Sequence, residues 1–178
     1  MIVVLLGETN SGKSTIGKAV VQKMGDDWVY LSSGDIARRI TSEDDLNTGK
    51  FAPENMMRSE ITHMINDEYR NKNIILDGFP RFAEQNEFLH EITSDDIIFI
   101  LVDVPHEQIE NRARNRGRSD DNALVEKFKF WQEHTVPMIR QIIEDYDELY
   151  TISNGDEDNI FMNVEKVCEI LCRYLSQN

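Results

Sequence analysis

Eight residues near the start of the chain, Gly7-Glu8-Thr9-Asn10-Ser11-Gly12-Lys13-Ser14, limit its fold more than any other stretch. They follow the apolar run Ile2 to Leu6 and open an amphipathic segment. Strand, glycine-bounded loop and helix thus come in the order that a phosphate cradle requires. In such a loop the backbone N–H groups and the positive end of the helix face an anion. Lys13 reaches the β and γ phosphates of a triphosphate, and the Ser14 hydroxyl can serve Mg²⁺. A chance match to the fixed positions arises on the order of once in a hundred chains, and the flanking pattern makes it rarer. The loop therefore implies a nucleoside triphosphate site.

The remaining apolar runs extend this unit into a whole domain. Ile2 to Leu6, Trp28 to Leu31, Asn73 to Leu76, Ile97 to Val102 and Leu149 to Ile152 alternate with segments of helical period, as in βα repetition. The runs are nearly continuous rather than alternating, so each strand is buried on both faces. The expected fold is an α/β three-layer sandwich with a five-stranded parallel sheet, and 178 residues suffice for one such domain. Two stretches break the alternation. Residues 39–69 are polar and punctuated by Gly49 and Pro53, with a helix expected from Glu54 to Tyr69; residues 115–121 form an Arg-, Gly- and Asp-rich link. The core is then 1–38, 70–114 and 122–178, with 39–69 as a helical insert and 115–121 as a short closing loop.

Charge narrows the partners. At −14 the chain would be repelled by nucleic acid and by anionic membranes. An anion site on such a body must concentrate its few cations, and Arg112, Arg114, Arg116 and Arg118 fall in one short stretch, with Arg38 and Arg81 isolated elsewhere. The strand Ile74-Ile75-Leu76 ends in Asp77-Gly78-Phe79-Pro80-Arg81, which puts a carboxylate beyond the carboxyl end of a strand, where α/β sheets bind ligands. A turn Asp before Gly is the plain alternative.

These motifs together resemble the nucleoside monophosphate kinases, and most closely the short-lid adenylate kinases. The resemblance rests on the loop, Ser33-Gly34-Asp35-Ile36-Ala37-Arg38, Gly49-Lys50-Phe51-Ala52-Pro53-Glu54, Asp77-Gly78-Phe79-Pro80-Arg81 with Gln85, Asp103-Val104-Pro105, Arg112, Arg116, Gly117-Arg118-Ser119-Asp120-Asp121-Asn122 and Asn154-Gly155, all in family order. It implies transfer of the γ-phosphoryl of MgATP to AMP. Asn10, Ser11, Gly12, Lys13, Ser14 and Thr15 would hold ATP phosphates, with Arg112, Asn154 and Gly155 bordering the adenine. Ser33, Gly34, Arg38, Phe51, Ala52, Gly78, Arg81, Gln85 and Arg118 would hold AMP. Gln85 matches the AMP-selective version, because an amide both donates to and accepts from the adenine edge. Lys13, Arg81, Arg116, Arg118 and Lys129 would surround the transferred group. Ser14 and Asp77 would serve Mg²⁺, Asp77 through water, and Asp120 and Asp121 would orient the lid or cap a helix. Insert and link would close over the nucleotides.

Three features depart from the family pattern. Glu8-Thr9-Asn10 and Ser14 replace a loop richer in Gly and Pro, which predicts weaker donor binding. The link between Arg116 and Arg118 lacks residues of the usual short lid. Lys129 stands where an arginine is normal, and loses the planar fork. Within the family a CMP/UMP or deoxynucleoside monophosphate kinase is the rival reading. From other classes come a GTP-dependent switch, whose guanine motif is only loosely approached at Asn71-Lys72-Asn73-Ile74, and a non-catalytic nucleotide sensor.

The other residues predict less. Cys168 and Cys172 share a helix face and are expected to fill core space in a reducing compartment. His63, His90, His106 and His134 lack ligand spacing, and Trp28 and Trp131 are expected to be core or half-buried. Two cysteines on one helix cannot build the four-ligand zinc site of long-lid relatives. With Met1 leading straight into a strand, the expectation is a cytoplasmic monomer whose only metal is the Mg²⁺ of the nucleotide.

Overall fold

The structure, a computed structural model, describes residues 1–42, 52–116, 124–146, 149–155 and 158–177, with Arg116 and Tyr146 described by backbone alone. Among these residues the strands are β1 (Ile2–Leu6), β2 (Trp28–Ser32), β3 (Asn73–Asp77), β4 (Ile97–Asp103) and β5 (Leu149–Ser153). They form one sheet in the order β2-β3-β1-β4-β5, and each pairing is parallel. All five residues of β1 are buried, as a central strand covered on both faces must be.

The helices are α1 (Lys13–Met24), α2 (Ser33–Ile40), α3 (Glu54–His63), α4 (Ala83–Ile92), α5 (His106–Arg116), α6 (Leu124–Phe130), α7 (Val136–Tyr146) and α8 (Ile160–Gln177). On one face of the sheet Ile16 and Val20 of α1 meet Val164, Val167, Cys168 and Leu171 of α8 over Val3, Leu5 and Ile100. On the other, Ile36, Ile61, Leu89, Met138 and Ile142 pack over Ile2, Val4 and Leu76. Two apolar layers about one sheet give the expected three-layer sandwich.

The helix anticipated over Glu54 to Tyr69 is α3 followed by a π-helical turn, Met64–Glu68. A second π-helical turn, Trp131–Thr135, joins α6 to α7. Such wide turns recur at functional sites, and this one faces the cavity described below. The cysteine expectation holds for one residue only. Cys168 is buried against α1, whereas Cys172, one turn later, is exposed. Further along α8 Leu175 is exposed as well, whereas Tyr174 still packs against the core. Gly49, Lys50 and Phe51, and the link residues 117–121, lie outside the described residues.

Candidate active site

β1 ends at Leu6, and the chain must turn sharply to enter α1. Three residues do this with positive φ: Gly7 at 146°, Asn10 at 68° and Gly12 at 95°. A Cβ on Gly7 would stand 2.6 Å from the Val102 carbonyl oxygen, and one on Gly12 would stand 2.4 Å from Asn154 Nδ2. Backbone and neighbours therefore both require glycine there. Asn10 needs no glycine, because Asn is among the side chains that tolerate the left-handed region. Gly12→Ala is expected to cost about 1–3 kcal/mol from backbone strain alone. The Asn154 amide cannot step aside, since it donates to the Ser11 carbonyl at 2.8 Å and accepts from Asn163 Nδ2 at 3.0 Å. Denaturant unfolding of the variant would read this loss, and an unchanged midpoint would show that the loop relaxes.

The Lys13 ammonium donates to the carbonyls of Gly7 and Glu8, both at 2.7 Å, and lies 3.3 Å from Ser11 Oγ. The loop's own backbone thus positions its cation. Glu8 lines neither cavity described below and instead pairs with His106 Nδ1 at 2.9 Å. Burial pushes its carboxyl above the usual range, while His106 and Lys13 pull it down. His106 also stacks on Phe128 of α6, with ring centroids 3.7 Å apart. His106, which has no ligand spacing in the sequence, thus packs on a helix and ties the phosphate loop to α6.

Asp77 ends β3 beside the loop, as the strand pattern predicts, and is buried. Its Oδ2 accepts from Ser14 Oγ at 2.8 Å and from the Tyr30 hydroxyl at 2.5 Å. The following turn is tight, with Gly78 at φ 78° and its carbonyl accepting from Ser33 Oγ at 2.6 Å and from Arg81 Nε at 2.7 Å. The Arg81 backbone is held at both ends, its N–H by Gln85 Oε1 at 2.8 Å and its carbonyl by the Thr135 hydroxyl at 2.7 Å. Desolvation lowers the Arg81 guanidinium from its ordinary value while Asp77 opposes the shift. The group remains charged at any working pH.

Two cavities meet at the loop, and Asn10, Lys13 and Ser14 line both. The first continues past Asp77 and Gly78 to Ser33, Gly34, Arg38 and Arg81. The second runs over the start of α1 to Thr15, Arg112, Asn154 and Gly155. Arg112 reaches it from α5 by donating to the Asn154 carbonyl at 2.7 Å. Asn154 in turn takes its backbone N–H to the Asp103 carbonyl at 2.8 Å, which fixes the end of β5 against β4. Asp158 closes this side, accepting from Ser153 Oγ at 2.7 Å and from the Gly155 N–H at 2.6 Å. Those two bonds hold its carboxyl below the usual range.

The remaining site expectations divide. Ser11 is fully buried beneath the loop, and Ala52 is half-buried against the core. Gln85 is buried and lines neither cavity; its Nε2 donates to Glu54 Oε2 at 2.8 Å. Phe51, Arg118, Asp120 and Asp121 lie outside the described residues, and Arg116 is described only as the last residue of α5. Lys129 is not brought to the site. It is exposed and lines neither cavity, whereas Lys127 lines the first one beside Arg81. Residues two positions apart on a helix lie about 200° around it, so only one of this pair can face inward. Trp131 is half-buried as expected, yet it also walls the first cavity with Phe130 and Thr135. The spacing Lys127, Trp131, Thr135 places these three on one helical face, a signal available in the sequence. Tyr30, Asn163 and Asp158 carried no such signal.

Comparison with known proteins gives similarities along most of the chain. The AAA domain family model matches residues 6–127. Adenylate kinase from Mycolicibacterium vanbaalenii is 26% identical, covering 93% of this chain and 98% of its own. Adenylate kinase from Mycobacterium tuberculosis is 29% identical, covering 90% and 95%. UMP-CMP kinase 3 from Arabidopsis thaliana is 32% identical, covering 78% and 74%. With a phosphate loop shared by two cavities, a strand-end carboxylate beside it and these similarities along most of its length, the chain belongs to the nucleoside monophosphate kinase family of P-loop phosphotransferases.

Proposed function

We propose that the chain transfers the γ-phosphoryl of MgATP to AMP, giving two ADP. The observation that carries this reading is the junction at Lys13, where a cavity over the start of α1 meets a cavity lined by Arg38 and Arg81. Donor phosphates in the first and an acceptor phosphate in the second would approach each other across the Lys13 ammonium. Phosphoryl transfer needs this positioning, and charge around the equatorial oxygens, more than it needs covalent help.

Ser14 and Asp77 fit the magnesium of the nucleotide, since Mg²⁺ prefers oxygen ligands and is held through one or two carboxylates plus substrate phosphates. When bound it would neutralise charge on the β and γ phosphates. The Ser14 hydroxyl donates its hydrogen bond to Asp77, which would leave its lone pairs for the cation. Lys127 takes the part expected of Lys129. Residues 39–69 act as the acceptor-side insert and 115–121 as the lid, in a cytoplasmic monomer. Among the described residues no helix is long and apolar enough to cross a membrane.

AMP is favoured as acceptor by the names of the adenylate kinase relatives and by Gln85. The Arg81 N–H can only be met by an oxygen and the Glu54 carboxylate only by an amide N–H, so the Gln85 amide has one orientation. One N–H and one lone pair remain, the pair that an adenine edge needs. The UMP-CMP kinase relative supports a pyrimidine acceptor as the second reading. A coupled assay of ADP formation from MgATP, with AMP, CMP, UMP, GMP and dAMP offered separately, distinguishes them. Activity chiefly with AMP is expected; a preference for CMP or UMP would move the assignment to the second reading.

A further inference from the structure

We infer that Tyr30 is a positioning residue for the magnesium-bound donor nucleotide, acting by holding the Asp77 carboxylate in one orientation. The inference rests on the reading of this site as one for MgATP.

Tyr30 lies on β2, opposite Ile75, two residues before the position that pairs with Asp77. Its hydroxyl donates to Asp77 Oδ2 at 2.5 Å, and Ser14 Oγ donates to the same oxygen at 2.8 Å. A carboxylate gripped at one oxygen from two directions cannot rotate about its Cβ–Cγ bond without losing both bonds. Both bonds go to Oδ2, and together they set the direction in which the rest of the carboxylate faces. Ser14 comes from the start of α1 and Tyr30 from the sheet beneath, so the strand and the phosphate loop fix Asp77 jointly.

The fold makes a specific allowance for this phenol. Gly17 sits in the middle of α1, where glycine costs about 1 kcal/mol relative to alanine. A Cβ there would stand 2.8 Å from Tyr30 Cε2 and 3.0 Å from Leu5 Cδ1. The glycine lets the ring pass between α1 and the sheet to reach Asp77. Lys18, the next residue, places its ammonium 5.4 Å from the ring centroid. A ring that merely filled core space would need no hydroxyl, and phenylalanine would serve it equally well.

Tyr30→Phe removes only the oxygen. Calorimetric titration with ATP in magnesium and again in EDTA separates the metal-dependent part of binding from the rest. Partners of metal-bound groups typically affect metal affinity by about 10–100-fold. MgATP affinity is therefore expected to fall about tenfold or more, with metal-free ATP within about twofold of wild type. The magnesium concentration for half-maximal rate should rise by the same factor. In an Asp77→Asn background the second substitution should change neither quantity, because the group that Tyr30 orients is no longer a carboxylate. Equal weakening of ATP with and without magnesium would mean a structural role and overturn the proposal, as would unchanged affinities in both. Wild-type protein that binds MgATP but phosphorylates no nucleoside monophosphate would instead overturn the proposed reaction and leave the Tyr30 comparison intact.

Discussion

Lys13→Ala is expected to lower turnover by about a thousandfold or more, the scale seen when a main cation around a transferring phosphoryl group is lost. Lys13 lines both cavities, so its charge serves the donor and the group in flight together. The ammonium also bonds to the loop carbonyls of Gly7 and Glu8, so a denaturant midpoint measured beside the kinetics shows whether the loop's order is lost with the charge. Arg81→Ala makes the informative contrast. Its guanidinium bonds to the Gly78 carbonyl, while its backbone is secured by Gln85 and Thr135 independently of the side chain. The backbone turn should therefore survive the substitution, and kcat should fall about a hundredfold or more. Arg81→Lys should recover part of that loss, since it restores charge without the planar fork. Steady-state kinetics with MgATP and AMP read all three. A Lys13→Ala enzyme within tenfold of wild type would remove Lys13 from the reaction and with it the proposed meeting point of donor and acceptor.

The features legible in the sequence were those set by local pattern. Continuous apolar runs mark the five strands of the parallel sheet, but burial on both faces does not extend to every one: in the edge strand β5 Thr151 and Ser153 are exposed. Gly7 and Gly12 are readable because a loop that turns a strand into a helix needs positive φ at defined places. Asp77 is readable because it ends an apolar strand. Contacts between residues far apart in sequence were not readable. Glu8 sets a carboxylate within the phosphate loop, and only the fold brings His106, 98 residues away, to pair with it. Tyr30 reads as one more strand residue until Asp77 arrives 47 residues later. Gln85 reads as a base-facing amide, yet the fold also spends it on Arg81 and Glu54. Which lysine of α6 faces inward depends on where that helix starts, and residue types in the preceding link do not fix its start.

That choice of lysine yields the second large effect. Lys127→Ala is expected to lower kcat about a hundredfold, and Lys129→Ala to leave it within about twofold. Lys127 lines the cavity that also holds Arg38 and Arg81, with Trp131 and Thr135 on the same helical face. Lys129 points away and is exposed, so solvent screens its charge from any bound phosphate. Lys127→Arg should preserve or raise the rate, because the guanidinium adds a second donor in a fixed plane. His106 and Phe128 give a reason for α6 to stay in this register, since their stacking ties the helix to the phosphate loop through Glu8. Rotating α6 to bring Lys129 inward would carry Phe128 off the His106 ring. Equal losses for the two alanine variants would mean that the helix does turn in the working enzyme. A loss for Lys129 alone would return the role to the residue that sequence order singles out.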